Sequence, residues 1–67
     1  MTLGQKVNTP NGAGLYQGRM YSDGGVYLMV SHSPSAEIDK EKCRAYWFAG
    51  GIWKLAGYNV EQVEAVQ

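Results

Sequence analysis

Few residues in this chain have the type and spacing to do covalent chemistry. His32 and Cys43 are its one histidine and its one cysteine. They would pair as base and nucleophile only with a third group to orient the base and a strained turn to present the thiol. Neither is identifiable, so His32 is expected to end a strand and Cys43 to pack as a small hydrophobe. One His and one Cys far apart in sequence also make a poor metal site. Glu37, Asp39 and Glu41 place carboxylates at i, i+2 and i+4, but Lys40 interrupts them, Lys42 adjoins them and no calcium-loop glycine pattern follows. That is the pattern of a solvated loop. The glycine-bearing turns lack the Gly-Lys-Ser/Thr of a phosphate loop. The expectation is a non-enzyme with no metal and no cofactor.

Non-covalent recognition is where the sequence concentrates. Tyr46-Trp47-Phe48-Ala49-Gly50-Gly51-Ile52-Trp53 holds four of the eight aromatics of the chain. A strand with one buried face should alternate apolar and polar residues, and this stretch is apolar on both. Strand period puts Arg44, Tyr46 and Phe48 on one face and Ala45, Trp47 and Ala49 on the other. After the turn, Ile52, Lys54 and Ala56 share a face, and Trp53 and Leu55 share the opposite one. The inward set is either Tyr46 with Phe48 or Trp47 with its alanines, and hairpin register decides which. Either way a large aromatic points outward, to meet the chain's own loop or tail, a copy of itself, or another molecule. Tyr and Trp are enriched at interface centres. The expected contact residues are Tyr46, Trp47, Phe48 and Trp53, with Arg44 and Lys54 at the rim.

Size and charge bound the partner. At 67 residues the chain is one domain, 1–67, and buries only about 60% of its unfolded surface. Such scaffolds usually need a staple. A single cysteine rules out an internal disulfide, which leaves an efficient core or self-association. Six basic and six acidic residues cancel. A phosphate-binding protein normally carries a basic excess, so zero net charge disfavours nucleic acid. Arg19, Arg44 and Lys54 with Tyr16, Tyr21, Tyr27, Trp47 and Trp53 would be the stacking surface if nucleic acid bound. Zero charge also removes the repulsion that keeps small proteins apart. The single cysteine, with no signal-like segment and no membrane-length apolar run, predicts a cytoplasmic protein with no membrane contact.

The elements that must position these residues are strands. Gln5 to Thr9 reads as the first, followed by a Pro10-Asn11-Gly12 turn. Ala13 to Tyr21 is a long second strand with glycines marking bends. Ser22-Asp23-Gly24-Gly25 is a hairpin signal, and Val26 to Ser31 a third strand. Ser33 to Lys42 is a charged loop with one helical turn, Ser33 before Pro34 fitting an N-cap and first helical position. Cys43 to Phe48 and Gly51 to Ala56 are the fourth and fifth strands, joined at Ala49-Gly50. Valines at 60, 63 and 66 fit a 3₁₀ turn and a short strand ending at Val66, or a helical tail.

Five or six short antiparallel strands with one helical or 3₁₀ turn fit a small, closed or partly closed barrel. GQKVNTPNGAGLYQGRMY is similar to the opening hairpin of SH3-like barrels of the KOW and Tudor type, through Gly4, Val7, Gly12, Gly14 and Gly18. YNVEQVEAV resembles the 3₁₀ turn and closing strand of such barrels. The resemblance covers about half the chain and implies a fold rather than an activity. The type II dihydrofolate reductases build an enzyme from four barrels of this size, but their Val-Gln-Ile-Tyr strand is absent here. The sequence therefore predicts a mainly β, SH3-like interaction module that binds another protein or itself, as a homodimer or higher oligomer. A nucleic-acid-binding barrel is the alternative.

Overall fold

The computed structural model describes residues 1–22, 24–49 and 53–66. Six antiparallel strands form one open sheet: β1 (Lys6–Thr9), β2 (Gly12–Ser22), β3 (Gly25–His32), β4 (Ala45–Ala49), β5 (Trp53–Tyr58) and β6 (Glu64–Ala65). Their order across the sheet is β4-β5-β3-β2-β1-β6. The mainly β class and the number of strands are as the sequence predicts.

Turn chemistry sets the first hairpin. Thr9 pairs with Gly12 across Pro10-Asn11. The Thr9 hydroxyl donates to the Gly12 carbonyl at 2.8 Å and accepts from the Asn11 amide at 3.1 Å. Only Gly12 takes positive φ in this turn, +100°, so its missing Cβ closes the hairpin. Further along, Tyr16 pairs with Val30 but Gly18 with Met29, so Gln17 is an extra residue on β2. Gly18, at φ +106°, allows this bulge.

One face of the sheet holds the core. Val7, Tyr16, Leu28, Val30, Ala56, Tyr58 and Val63 pack together, with Cys43 and Tyr46 against them. Of the three tail valines only Val63 is core; Val60 and Val66 are exposed. The tail is not a continuous helix. It makes a 3₁₀ turn at Val60–Gln62 and then pairs with β1 as β6. The Gln62 side chain accepts from the Asn59 amide at 2.9 Å.

β3 and β4 both pair with β5 and not with each other, so residues 33–44 carry the chain past β5 to the sheet's end. A second 3₁₀ turn lies here, at Lys40–Lys42, not at Ser33. Ser33 closes only a single turn, its carbonyl accepting from the Ala36 amide at 2.9 Å. The Asn11 side chain explains why no helix continues. It accepts from the Asp39 amide at 2.9 Å and donates to the Asp39 carbonyl at 3.1 Å, holding that residue extended. Asp39 then caps the late turn by accepting from the Glu41 amide at 2.9 Å.

The join expected at Ala49-Gly50 falls later. Ala49 is the last residue of β4, paired with Trp53. Gly50, Gly51 and Ile52, and Asp23 of the other hairpin, lie outside the described residues.

Candidate functional site: the uncovered sheet face

Register settles which aromatics face inward. Tyr46 lies opposite Ala56, and Trp47 opposite Leu55. Ala56 is fully buried in the core, so Tyr46 joins the core face and Trp47 the other. Tyr46 is half-buried, with the Lys40 ammonium 5.3 Å from its ring centroid. Trp53, two residues before Leu55 on the same strand, shares Trp47's face. These two are 37% and 44% exposed.

Their face continues across the sheet. Trp47, Leu55, Ser31 and Leu15 form one cross-strand row, and Ala45, Gly57, Met29 and Gly18 form the next. Leu15, Gln17, Ser31, Trp53 and Leu55 line an open groove of about 450 Å³. Its walls are apolar and its floor is not. The Gln17 amide donates to the Ser31 hydroxyl at 3.0 Å, and that hydroxyl donates to the Leu15 carbonyl at 3.4 Å. The bulge is what brings Gln17 over Ser31. Among the described residues, charge on this face is confined to Lys6 and Glu64, at the β1–β6 end by register, and to Arg44 just before β4.

The six expected contact residues are thus divided. Trp47 and Trp53 share one face, and Tyr46 packs against the core. Phe48 lies in β4 opposite Lys54. Arg44 stands beside the face, its guanidinium 5.1 Å from the Tyr27 ring centroid and donating to Asn59 Oδ1 at 3.0 Å. Lys54 is on the core side and donates to the Ala36 carbonyl at 2.6 Å. The sequence reading missed Leu15, Gln17 and Ser31. The period-two pattern of β2 held the signal for Leu15, but the bulge hides it for Gln17.

His32 is fully buried at the end of β3. Its Nδ1 faces the Ala13 carbonyl at 3.0 Å, and a carbonyl only accepts, so Nδ1 carries the proton. Nε2 therefore accepts from the Tyr58 hydroxyl at 2.7 Å. Tyr58 in turn accepts from the Asn11 side-chain Nδ2 at 3.2 Å. Both ring nitrogens are engaged, leaving none to serve Cys43. Burial pushes the His32 pKa down, against a smaller upward effect of the Ala13 carbonyl. Burial also pushes the Tyr58 hydroxyl up. The half-buried Cys43 thiol is raised by desolvation and then by the Asp39 charge.

Among the described residues, no helix is long and apolar enough to cross a membrane. Comparison with protein-family models, with curated proteins and with solved structures finds no match.

Proposed function

We propose that this chain is a non-catalytic interaction module, a partly open SH3-like barrel of the cytoplasm that binds protein through the Trp47–Trp53 face. The observation that carries the reading is the apolar row Trp47-Leu55-Ser31-Leu15 with the groove beside it. At 37% and 44% exposure, each tryptophan leaves roughly 100 Å² open, a gross gain of about 2.5 kcal/mol per side chain when covered. A groove with apolar walls and a Gln17–Ser31 floor suits an apolar side chain carrying one hydrogen-bonding group. The six strands, the bulge at Gln17 and the return of β6 to β1 support the barrel. Nucleic acid finds less support. Tyr16 is core, Tyr21 is 73% exposed in β2 next to the β2–β3 turn, and Lys54 faces away from the tryptophans.

Parallel capture tests this. Immobilised wild type, Trp53→Ala and Tyr21→Ala are offered the same cell extract, each variant first checked for folding by circular dichroism. A partner held by wild type and Tyr21→Ala but lost by Trp53→Ala is the expected result. Identical capture by all three would refute the assignment of this face.

A further inference from the structure

The edge of the sheet beside the aromatic face is unguarded. β4 ends the strand order, with β5 on one side and no strand on the other among the described residues. Natural edge strands are blunted by brevity, charge, proline or bulges. β6 at the opposite end follows that rule, having two residues, both exposed, one of them Glu64. β4 follows none of it. It has five residues, Ala-Tyr-Trp-Phe-Ala, without charge or proline, and its register with β5 is unbroken.

We propose that a second copy of this chain docks at this edge, joined by antiparallel pairing of β4 with β4 about a two-fold axis at Trp47. The inference rests on the reading of the aromatic face as an interaction surface and adds a second copy at its margin, leaving the Trp53 side open to another protein. A strand is recognised by another strand through main-chain hydrogen bonds, and this one matches its own reverse in size. Pairing about residue 47 sets Ala45 opposite Ala49, Tyr46 opposite Phe48, and Trp47 opposite itself. All five residues are used, and no other register does that. Charge is compatible with it. Arg44 stands six residues from its counterpart along the pair, about 20 Å, well beyond the roughly 10 Å over which exposed charges are felt at ordinary salt. The charged residues Lys6 and Glu64 lie on strands at the far end of each sheet. A chain with zero net charge has no overall repulsion to overcome. Such pairing is isologous, so it closes as a dimer and does not propagate. It joins the two outer faces and seats two tryptophans at the centre.

Sedimentation equilibrium and amide hydrogen exchange across a concentration series on the intact chain test this. The expected result is a dimer whose formation slows exchange of the β4 amides that do not bond β5. Trp47→Lys sets two lysines opposite one another in this register and should weaken dimerisation roughly tenfold or more, while Tyr21→Lys leaves it unchanged. If Trp47→Lys does not fold, the wild-type exchange series carries the test alone. A chain that stays monomeric throughout overturns the inference. So does a dimer whose β4 amides exchange equally fast at all concentrations. Capture with Trp53→Ala needs no second copy, so it judges the interaction-surface reading separately from this one.

Discussion

Removing one oxygen atom tests the polar network beneath the loop that leads to β4. In Tyr58→Phe the ring stays and the hydroxyl goes. Tyr58 is fully buried, and so is His32. The change deletes the 2.7 Å bond to His32 and the 3.2 Å bond from Asn11. His32 Nε2 is then a buried acceptor with no donor, because the Ala13 carbonyl holds the ring in its present tautomer. A net hydrogen bond is worth about 1 kcal/mol, and a stranded buried polar atom costs about 1–3 kcal/mol. The expected loss is about 2–3 kcal/mol. A domain of this length is stable by roughly 3–10 kcal/mol in all. At about 4–8 °C per kcal/mol, the midpoint should fall by at least about 8 °C in a thermal melt followed by circular dichroism.

A second variant shows whether the loss comes from the bond. In the pair Tyr58→Phe and His32→Leu, both partners are apolar and no stranded Nε2 remains. The two single losses should therefore exceed the double loss by about 1 kcal/mol or more. A drop under about 3 °C for Tyr58→Phe, or strict additivity of the pair, would refute the reasoning. Asn11 would then hold Asp39 without help from Tyr58.

The pH dependence follows from the same histidine. Its folded pKa lies below the ordinary 6.5, so folding favours the neutral ring. That stability is fully present above about pH 6.5 and is lost as pH falls toward the folded pKa, at no more than about 1.4 kcal/mol per pH unit for one proton. Urea midpoints between pH 8 and pH 5 should fall on the acid side, and His32→Leu should flatten that part of the profile. Gly14→Ala should abolish folding or nearly so, since its Cβ would sit 2.7 Å from the Ser31 carbonyl and against Val30. Gly57→Ala meets nothing closer than 3.5 Å and should change the melting midpoint little. Cys43, with its raised thiol pKa, should alkylate more slowly with iodoacetamide near neutral pH than an unstructured cysteine peptide, and match it in denaturant.

Strand positions were legible because turns announce themselves. Pro10-Asn11-Gly12 and Gly24-Gly25 bracket β2 in plain view, and alternation gives each strand two faces. What could not be read was the parity of the β4–β5 hairpin. A two-residue loop at Ala49-Gly50 would set Trp47 opposite Ile52. The observed pairing sets it opposite Leu55, three residues further on. An odd shift exchanges which residues share a face, so it moves Lys54 to the core side and leaves the two tryptophans together. Lys54 illustrates why composition misleads here. A lysine is a natural rim residue, yet its stem runs along the core side and its ammonium ends on the carbonyl of Ala36, a partner 18 residues away. The late 3₁₀ turn was hidden for a related reason. Asp39 is held by Asn11 from a hairpin 28 residues distant, which no local pattern encodes.

The location of the apolar surface is the stronger argument for its use. The core side is already filled by Tyr16, Tyr58 and His32, all of them at most 6% exposed. Among the described residues, one sheet and two 3₁₀ turns leave no second layer over the other side. A face that only met water would be expected to mix polar residues throughout. This one is charged toward β1 and β6 and uncharged through β4 and β5. The uncharged half adjoins the long bare edge, and the charged half adjoins the short, acidic one. Solubility would be served by placing charge at both ends. Arg44 apart, the charged strand residues of this face sit at the β1–β6 end, an arrangement that supports the proposed covering of the apolar strands and the free edge from the β4 side.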